Sequence, residues 1–508
     1  MVVLARVLEL LATGLALLMF AVIATGGWTI DGLALTRPED ALVVLAVVVA
    51  IRAFVAPIPL PRLRPVRVVG VGVVTYVLLM DFVVLSRHAA LQTHALDLGQ
   101  YLQVIWNISA GFGARTTLPP LHFWGEHLAL VFYLLVPLMW LAPGATALLV
   151  AQTLVLAAGA VAVFAYTVRR TALADERVAA GFALLYLVNP SLHGVNIRDI
   201  HPQAFAITFL LGAVAAFDAG RFGWCALALL LTLVSREDAA IAVVGFGIWL
   251  ALARRRWALG AAVAGAAVLV LYADLTWVMP YFRSSPYPHL NRYSHLGASL
   301  PQILGTLVLE PQSWLPLTLS FQKGMYLAAL LAPLGFLPLL APRVLAAALP
   351  GLAMNLLSFD HVLFSYRSQY QAFVLPFLVL AAVDGYASLR KRRVPWLSAG
   401  RALAFGFVAS VVLTARTVND FTVTRWWPGA DQRTAYALMR EIPAAAVVSV
   451  NERLVPHLAT RREVYIFPTA VATSAWILER ESEIAKAPPI GFAVVRRTSG
   501  WVLLRRES

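Results

Sequence analysis

Ionisable side chains in this sequence gather in short segments that separate long apolar runs. Asp97 opens one such segment. The residues after it place polar and apolar side chains on opposite faces of a helix: Gln100, Gln103 and Asn107 against Leu98, Leu102 and Ile105. This spacing predicts an amphipathic helix lying on a membrane surface. A carboxylate at its start could act as a general base, or it could simply cap free backbone N–H groups.

A second segment reads His122-Phe123-Trp124-Gly125-Glu126-His127. His122 and Glu126 are four residues apart and would share one face of a helix. They could ligate a divalent cation such as Mg or Mn, but no third ligand is fixed by the spacing. Hydrogen bonding to a polar substrate, or pairing of Glu126 with a histidine, is an equally open interpretation.

Four later segments contain the remaining candidates for substrate binding, which are Asn196, Arg198, Asp199, His201, Arg236, Glu237, Asp238, Arg292, Tyr366 and Arg367. Charges that interrupt apolar runs are costly unless they line an interior cavity, although residues 235–238 could instead form a solvated loop. Arginine forks suit a phosphate, and tyrosine rings can pack on a sugar. The alternative is an interfacial belt, where both residue types are common.

The composition requires these segments to be positioned by membrane helices. Of the 508 residues, 60% are hydrophobic and 13% are charged, where a soluble domain carries roughly a quarter charged residues. These values exclude a soluble enzyme, a disordered chain and a fibrous protein. The net charge of +14 indicates cytoplasmic loops facing anionic lipid and no nucleic-acid partner. The single cysteine, Cys225, excludes an intrachain disulfide.

The apolar runs predict about thirteen transmembrane helices. Their ranges are 3–24, 41–58, 68–86, 146–167, 178–192, 203–219, 223–234, 239–253, 257–279, 325–340, 343–357, 371–387 and 401–416. Arginine clusters near 62–67, 169–170, 254–256 and 390–393 mark cytoplasmic ends. They agree only if residues 127–142 do not cross, so this stretch is predicted to be re-entrant within an outer loop at 87–145. All ten histidines then lie at or beyond the outer face.

Residues 417–508 have a different pattern, and we expect them to form a small extracytoplasmic α/β domain after a transmembrane domain at 1–416. A helix is predicted at 431–441 and strands at Val447–Val450 and Val464–Phe467. Phe492–Val495 and Val502–Leu504 flank Ser499-Gly500, which predicts a hairpin.

These motifs together resemble a bacterial membrane family, that of domain of unknown function 2079. The resemblance rests on Ala95 to Gly99, His122 to His127, Asn189-Pro190 through His201-Pro202, Arg236-Glu237-Asp238, and Val455 to Arg461. It covers most of the chain from about residue 75 onward. The family is in turn similar to the integral-membrane glycosyltransferases of the GT-C type, which take a sugar from a polyprenyl phosphate on the outer face.

This resemblance implies an inverting glycosyltransferase in the bacterial cytoplasmic membrane, with its active site on the extracytoplasmic face. Asp97 stands where the GT-C enzymes place their catalytic acid. The adjacent Asp-Glu pair of those enzymes is absent, and Glu126 or Glu237-Asp238 could replace its second member. Arg236, Arg198 or Arg367 would stabilise the leaving phosphate, and His122, Glu126 and His127 would orient the acceptor or hold a cation. The alternative is a non-enzymatic transporter or flippase of a lipid-linked or polymeric substrate, for which polar groups near the midplane are expected.

Overall fold

The computed structural model describes residues 2–30, 33–55, 63–170, 175–283, 285, 287–392, 399–420 and 426–507. Over these residues the chain is mostly helical, as the composition predicts. The first half contains α1 (Val2–Thr25), α2 (Pro38–Val55), α3 (Pro65–Ala89), α4 (Gln100–Ser109), α5 (Phe132–Leu141), α6 (Ala145–Arg170), α7 (Glu176–Leu187), α8 (Pro190–Ile197), α9 (Pro202–Asp218), α10 (Phe222–Leu233) and α11 (Ala240–Arg254).

The second half continues with shorter and more broken helices. They are α12 (Trp257–Ala273), α13 (Met279–Arg283), α14 (Leu300–Leu309), α15 (Pro311–Thr318), α16 (Phe321–Leu331), α17 (Pro342–Leu345), α18 (Leu349–Leu357), α19 (Leu375–Arg392) and α20 (Ala399–Asp420). Two small hairpins lie outside the bundle: β1 (Trp28–Ile30) with β2 (Leu33–Leu35), and β3 (Arg115–Thr117) with β4 (Pro120–His122).

Among the described residues, five helices are long and apolar enough to cross a membrane. They are Val3–Thr25, Pro65–Ala89, Ala145–Arg170, Trp257–Arg283 and Ala399–Thr417. A sixth span results if α7 and α8, which meet at a bend of 41°, are counted as one. The chain is a membrane protein with several apolar helices, and the expected count of about thirteen spans is supported only in part, because several further apolar helices of the described residues are shorter than a full crossing.

The difference arises because an apolar run can be longer than the helix inside it. The helix α10 has 12 residues and reaches roughly 18 Å, whereas the hydrocarbon core is about 30 Å thick. The predicted span 343–357 is divided into α17, a 3-10 turn and α18, with Pro342 and Pro350 in the first turns of the two helices. The helix α5 has 10 residues, too few for a crossing, which agrees with the non-crossing segment predicted at 127–142.

The tail forms the helix and strands that its sequence predicts. The sheet order is β6 (Val464–Ile466), β5 (Val448–Val450), β7 (Trp476–Arg480), β9 (Trp501–Arg506) and β8 (Phe492–Thr498). The first three strands are parallel and the last two pair antiparallel. The helices are α21 (Ala430–Met439), α22 (Val455–Leu458) and α23 (Glu481–Lys486). The expected domain boundary at 416 falls within α20.

The C-terminal domain, residues 430–506, packs directly on the segment that contains Asp97. Gly99 lies so close to α22 that an added Cβ would be 2.9 Å from Val455 Cγ1. The Gln103 side-chain amide donates to the Arg462 carbonyl at 3.0 Å. Val464 donates its backbone N–H to the Thr117 hydroxyl at 3.2 Å. The outer loop and the C-terminal domain therefore share one hydrophobic core.

Candidate active site

Asp97 lies in a wide π-helical turn, Ala95–Gly99, that continues directly into α4. Residue His94, not Asp97, precedes the first turn, and no side chain caps it. The interpretation of Asp97 as a helix cap is therefore wrong. Its side chain is 33% exposed, and its Oδ1 lies 3.4 Å from Nε2 of the buried His201. The two groups are close enough for an ion pair, but their geometry does not meet the criteria for a hydrogen bond.

His201 holds Asp97 ionised. Burial raises the pKa of the Asp97 carboxyl, but the charge and proximity of His201 outweigh it, so the pKa lies below its usual value. The charge of Arg198 acts in the same direction. His201 is itself fixed through its backbone N–H, which donates to Gln152 Oε1 at 2.8 Å, and the edge of the Tyr101 ring faces its imidazole. A positioned carboxylate at the protein surface is what a general base requires.

Asp199, a predicted substrate ligand, is fully buried and engaged within the protein. Arg87 Nη1 donates to its Oδ1, and the His94 backbone N–H donates to its Oδ2 at 3.0 Å. Burial raises the pKa of Asp199, but Arg87 and His94 lower it to about 2. With φ at +63°, Asp199 occupies the left-handed region that Asp tolerates better than most residues. Its carboxylate positions the start of the Asp97 turn against the turn before α9.

Asn196 is likewise buried and is used between helices. Its Nδ2 donates to Thr153 Oγ1 at 3.1 Å, and the Gln152 amide lies 3.4 Å from its Oδ1. The side chain therefore joins α8 to α6 inside the bundle. Asn196 was predicted to bind substrate, but its side chain is buried between these two helices.

Glu237 is the centre of a second cluster. Its fully buried carboxylate lies 2.9 Å from His127 Nδ1 and accepts hydrogen bonds from the Leu128 backbone N–H at 3.0 Å and the Tyr287 hydroxyl at 2.8 Å. Burial raises the pKa of Glu237, but His127, Arg236 and Tyr287 hold it well below its usual value. The His127 ring also stacks on His289 at 4.7 Å. Glu237 thus anchors His127 by its side chain and Leu128 by its backbone.

Arg236 forms a two-point ion pair with Asp238, through Nε at 2.7 Å and through Nη2. The guanidinium lies over the Tyr370 ring, 5.5 Å from its centroid. Arg292 approaches the same tyrosine, donating to its hydroxyl at 2.6 Å, and pairs with Asp360 at 3.2 Å. Arg236 and Arg292 therefore each use part of their hydrogen-bonding capacity on a carboxylate of the protein.

Arg367 is a candidate for holding a phosphate, since two other arginines act on it. Burial lowers the pKa of the Arg367 guanidinium, and Tyr366 opposes this shift. The charges of Arg416 and Arg198 lower the pKa further. Arg367 lies 5.2 Å from the Tyr366 ring centroid, and the Tyr366 hydroxyl donates to the Leu413 carbonyl at 3.2 Å. The backbone of Arg367 touches α8 at Gly194. Arg198, Arg367 and Arg416 therefore form a cationic group, and its member Arg198 also acts on Asp97.

The expected helical pairing of His122 with Glu126 is wrong. His122 ends strand β4, and residues 123–125 form a 3-10 turn, so the two side chains do not share a helix face. His122 stacks on Phe282 at 4.3 Å, whereas Glu126 Oε2 accepts from Gln100 Nε2 at 3.2 Å. In the part of the chain that the structure describes, no group of three or more His, Cys, Asp or Glu side chains could hold a metal ion.

Tyr101, on α4, lies between the two clusters. The charges of Asp97, Arg236 and Glu126 all act on its hydroxyl, and burial is the main reason its pKa is raised. The structure thus brings together Asp97, His201, Arg198, Arg236 and Glu126 from four separate segments. Arg87 was not among the predicted site residues, although an arginine near the end of the apolar helix Pro65–Ala89, opposite the end that follows the arginines at 62–67, could have identified it.

The sequence of residues 87–485 matches a protein family described as "Predicted membrane protein (DUF2079)". The chain belongs to this family. The matched range begins at Arg87 and includes every residue of the two clusters, whereas α1 and α2 lie outside it. No curated protein matches the sequence.

The chain is also similar to two crystal structures of ArnT from Cupriavidus metallidurans, one bound to undecaprenyl phosphate and one in the apo state. Each has a TM-score of 0.49 and 14% sequence identity. The alignments cover 85% of this chain and 97% and 96% of the two ArnT chains.

Proposed function

We propose that this DUF2079 protein is a membrane glycosyltransferase that acts on the outer face of the bacterial cytoplasmic membrane. It would transfer a sugar from a polyprenyl-phosphate donor to an acceptor hydroxyl, with inversion at the anomeric carbon. One observation carries the proposal: the partly exposed Asp97 carboxylate is held ionised by buried His201 and by Arg198, and Arg198 belongs to a group of three arginines. A base next to an anion-binding group is the minimum that glycosyl transfer from a phosphate requires.

In this reaction Asp97 accepts the proton of the acceptor hydroxyl as that oxygen attacks the anomeric carbon of the sugar. The bond from the anomeric carbon to the phosphate oxygen breaks, and polyprenyl phosphate leaves with the bonding electrons. His201 acts on Asp97 by positioning it and by keeping it in the anionic form. Glu126, held by Gln100, is the second carboxylate near Tyr101 and is the candidate for orienting the acceptor.

The leaving phosphate gains negative charge, which Arg198, Arg367 and Arg416 are placed to stabilise. Burial lowers the pKa of Arg367, and repulsion from Arg416 and Arg198 lowers it further; a bound phosphate would relieve that repulsion. Arginine forks also match phosphate oxygens in geometry. Arg236 is a weaker candidate than the sequence suggested, because Asp238 already uses two of its donors.

An apolar groove next to these arginines could accommodate the donor's lipid chain. Its volume is about 500 Å³, and its lining includes Leu42, Val71, Leu79, Leu184, Ile197 and Thr414. Ile197 immediately precedes Arg198, and Thr414 lies two residues before Arg416. A polyprenyl chain in the groove would therefore bring its phosphate to the arginine group, since apolar chains prefer apolar surfaces to water.

The decisive experiment is Asp97→Asn in purified full-length protein. Asn keeps the size of the side chain but removes the charge and the proton acceptor. We expect sugar transfer from a radiolabelled polyprenyl-phosphate sugar to fall by roughly 10²-fold or more, the usual contribution of a general base. Donor binding should persist, because the arginines hold the phosphate.

Glu483→Gln is the matched control, since Glu483 lies in an exposed ion pair with Lys486 on the C-terminal domain. Its transfer rate should equal that of the wild type, and all three proteins should melt at similar temperatures. Undiminished transfer by folded Asp97→Asn protein would contradict the proposal. Lipid-linked substrate moving across vesicles without sugar transfer would instead favour the transporter.

A further inference from the structure

A polar cleft lies at the contact between residues 107–122 and the C-terminal domain, and its lining shares no residue with that of the apolar groove. Its volume is about 700 Å³, and its lining includes Asn107, Phe112, Arg115, His122, Arg462 and Tyr465. Ligand pockets in proteins usually measure about 300–1,000 Å³. The cleft is therefore large enough for a ligand of a few sugar units.

The cleft carries positive charge from two separate elements. Arg115 begins β3 of the outer loop, and Arg462 precedes β6 of the C-terminal domain. Both are exposed, and neither forms an ion pair with another described residue. The carboxylate of Glu463, also in the lining, accepts a hydrogen bond from the Tyr465 hydroxyl at 3.1 Å. Two arginines against one carboxylate favour an anionic ligand.

Flat apolar surfaces lie beside these charges. The Arg462 guanidinium is 5.2 Å from the Phe112 ring centroid, which presents a combined cationic and aromatic surface. His122 stacks on Phe282, and burial together with Arg115 lowers its pKa, so it offers hydrogen bonding without charge at neutral pH. Aromatic faces next to hydrogen-bonding groups suit a sugar ring, which has apolar C–H faces and polar edges.

The cleft adjoins a second cavity whose lining includes the residue before Glu126. Leu121 and His122 also line a second cavity of about 420 Å³ together with Gly125 and Arg283. Gly125 precedes Glu126, which is bonded to Gln100, three residues beyond Asp97. A chain-like ligand in the cleft would therefore extend along His122 to the carboxylates.

We propose that this cleft binds the acceptor and that the acceptor is an acidic saccharide. The term acceptor rests on the proposed function; the binding of an acidic saccharide rests on the cleft alone. Arg115 and Arg462 would pair with its carboxylate or phosphate groups, and Phe112, Tyr465 and His122 would contact its rings. A terminal hydroxyl would reach Asp97 past Glu126.

Fluorescent trigalacturonate is the probe, and its methyl ester is the neutral counterpart. With the purified full-length protein in detergent, we expect the acid to bind at least about 10-fold more tightly than the ester. Arg462→Gln and Arg115→Gln should each weaken binding of the acid by roughly 10-fold, and Arg462→Lys by less. Arg440→Gln should bind as the wild type does, because Arg440 is exposed on the same domain and does not line the cleft.

Absent binding, equal affinity for acid and ester, or affinity unchanged in both glutamine variants would overturn the cleft proposal. Equal competition by glycerol 1-phosphate would show a general anion site and overturn the saccharide assignment. Asp97→Asn protein should bind trigalacturonate normally. If Asp97→Asn protein binds trigalacturonate normally and also transfers sugar normally, the proposed function is wrong and the cleft proposal stands. If Asp97→Asn protein loses transfer but the wild type binds the acid and the ester equally, the cleft proposal is wrong and the proposed function stands.

Discussion

At the scale of single residues, His201 is the group that decides how Asp97 titrates. Burial raises the pKa of Asp97, and His201 reverses that shift from 3.4 Å. His201→Gln keeps a polar side chain of similar length but removes the charge. The pKa of Asp97 should therefore rise, because burial remains and its main opponent is lost.

The rise in the pKa of Asp97 predicts the direction in which the pH profile of sugar transfer moves. A base acts only when deprotonated, so transfer is lost as the pH falls through the pKa of Asp97. In His201→Gln the acidic limb of the kcat/KM profile should move to higher pH, with the plateau rate less affected than in Asp97→Asn. A lower rate with an unshifted acidic limb would show that His201 acts only through packing.

At the scale of secondary-structure elements, the contact of α8 with the loop before α19 positions the arginine group. A Cβ on Gly194 would lie 2.5 Å from both Cα and O of Arg367. Backbone cannot move aside as a flexible side chain can. We expect Gly194→Ala to destabilise the protein by about 1–3 kcal/mol, the usual cost of overpacking, and to weaken donor binding by displacing Arg367.

Gly212→Ala is the matched control for this change. Gly212 lies inside α9, and an added Cβ there meets nothing within 4 Å. Alanine should be neutral or stabilising, since glycine costs about 1 kcal/mol within a helix. Thermal melting and donor titration separate the two variants; a Gly194→Ala protein that matches Gly212→Ala in both would show that the close contact is dispensable.

At the scale of the whole molecule, a pair of histidines marks the contact between the helix bundle and the C-terminal domain. His457, on α22, stacks on His88 at 4.0 Å, and Tyr436 donates its hydroxyl to the Ala89 carbonyl at 3.0 Å. Burial lowers the pKa of His457 well below its ordinary value, and the charge of His88 adds to this shift. The docked arrangement therefore favours neutral His457.

This preference predicts a pH-dependent stability. The unfolded protein binds a proton at His457 more readily than the folded protein does. The contribution of neutral His457 to the free energy of unfolding is therefore complete above about pH 6.5 and declines as the pH falls below that value. Wild-type protein should lose more thermal stability between about pH 7.5 and about pH 5 than His457→Phe, which keeps an aromatic ring without the titration. Parallel melting curves for the two proteins over this range would refute the prediction.

The strands of the C-terminal domain show how much local pattern determines. Alternating Val-rich stretches predicted β5 and β6, and Ser499-Gly500 predicted the hairpin between β8 and β9. Both turn residues have positive φ, at +49° and +75°, as a tight two-residue hairpin requires. Composition likewise identified a membrane protein, since the hydrophobic fraction does not depend on how helices pack. These features are local or summed over the chain, so the sequence by itself determined them.

Tertiary structure alone decided which polar residues meet. Asp97 and Asp199 are both acidic residues near apolar runs, yet one remains partly exposed beside His201 and the other is buried against Arg87. Glu237 pairs with His127 from a distant segment, and His122 lies apart from Glu126 because a strand and a 3-10 turn replaced the expected helix. Spacing along the chain reports neighbours on one helix or strand. The protonation and exposure of these groups depend on contacts between segments that are far apart in the sequence, which form only in the folded protein.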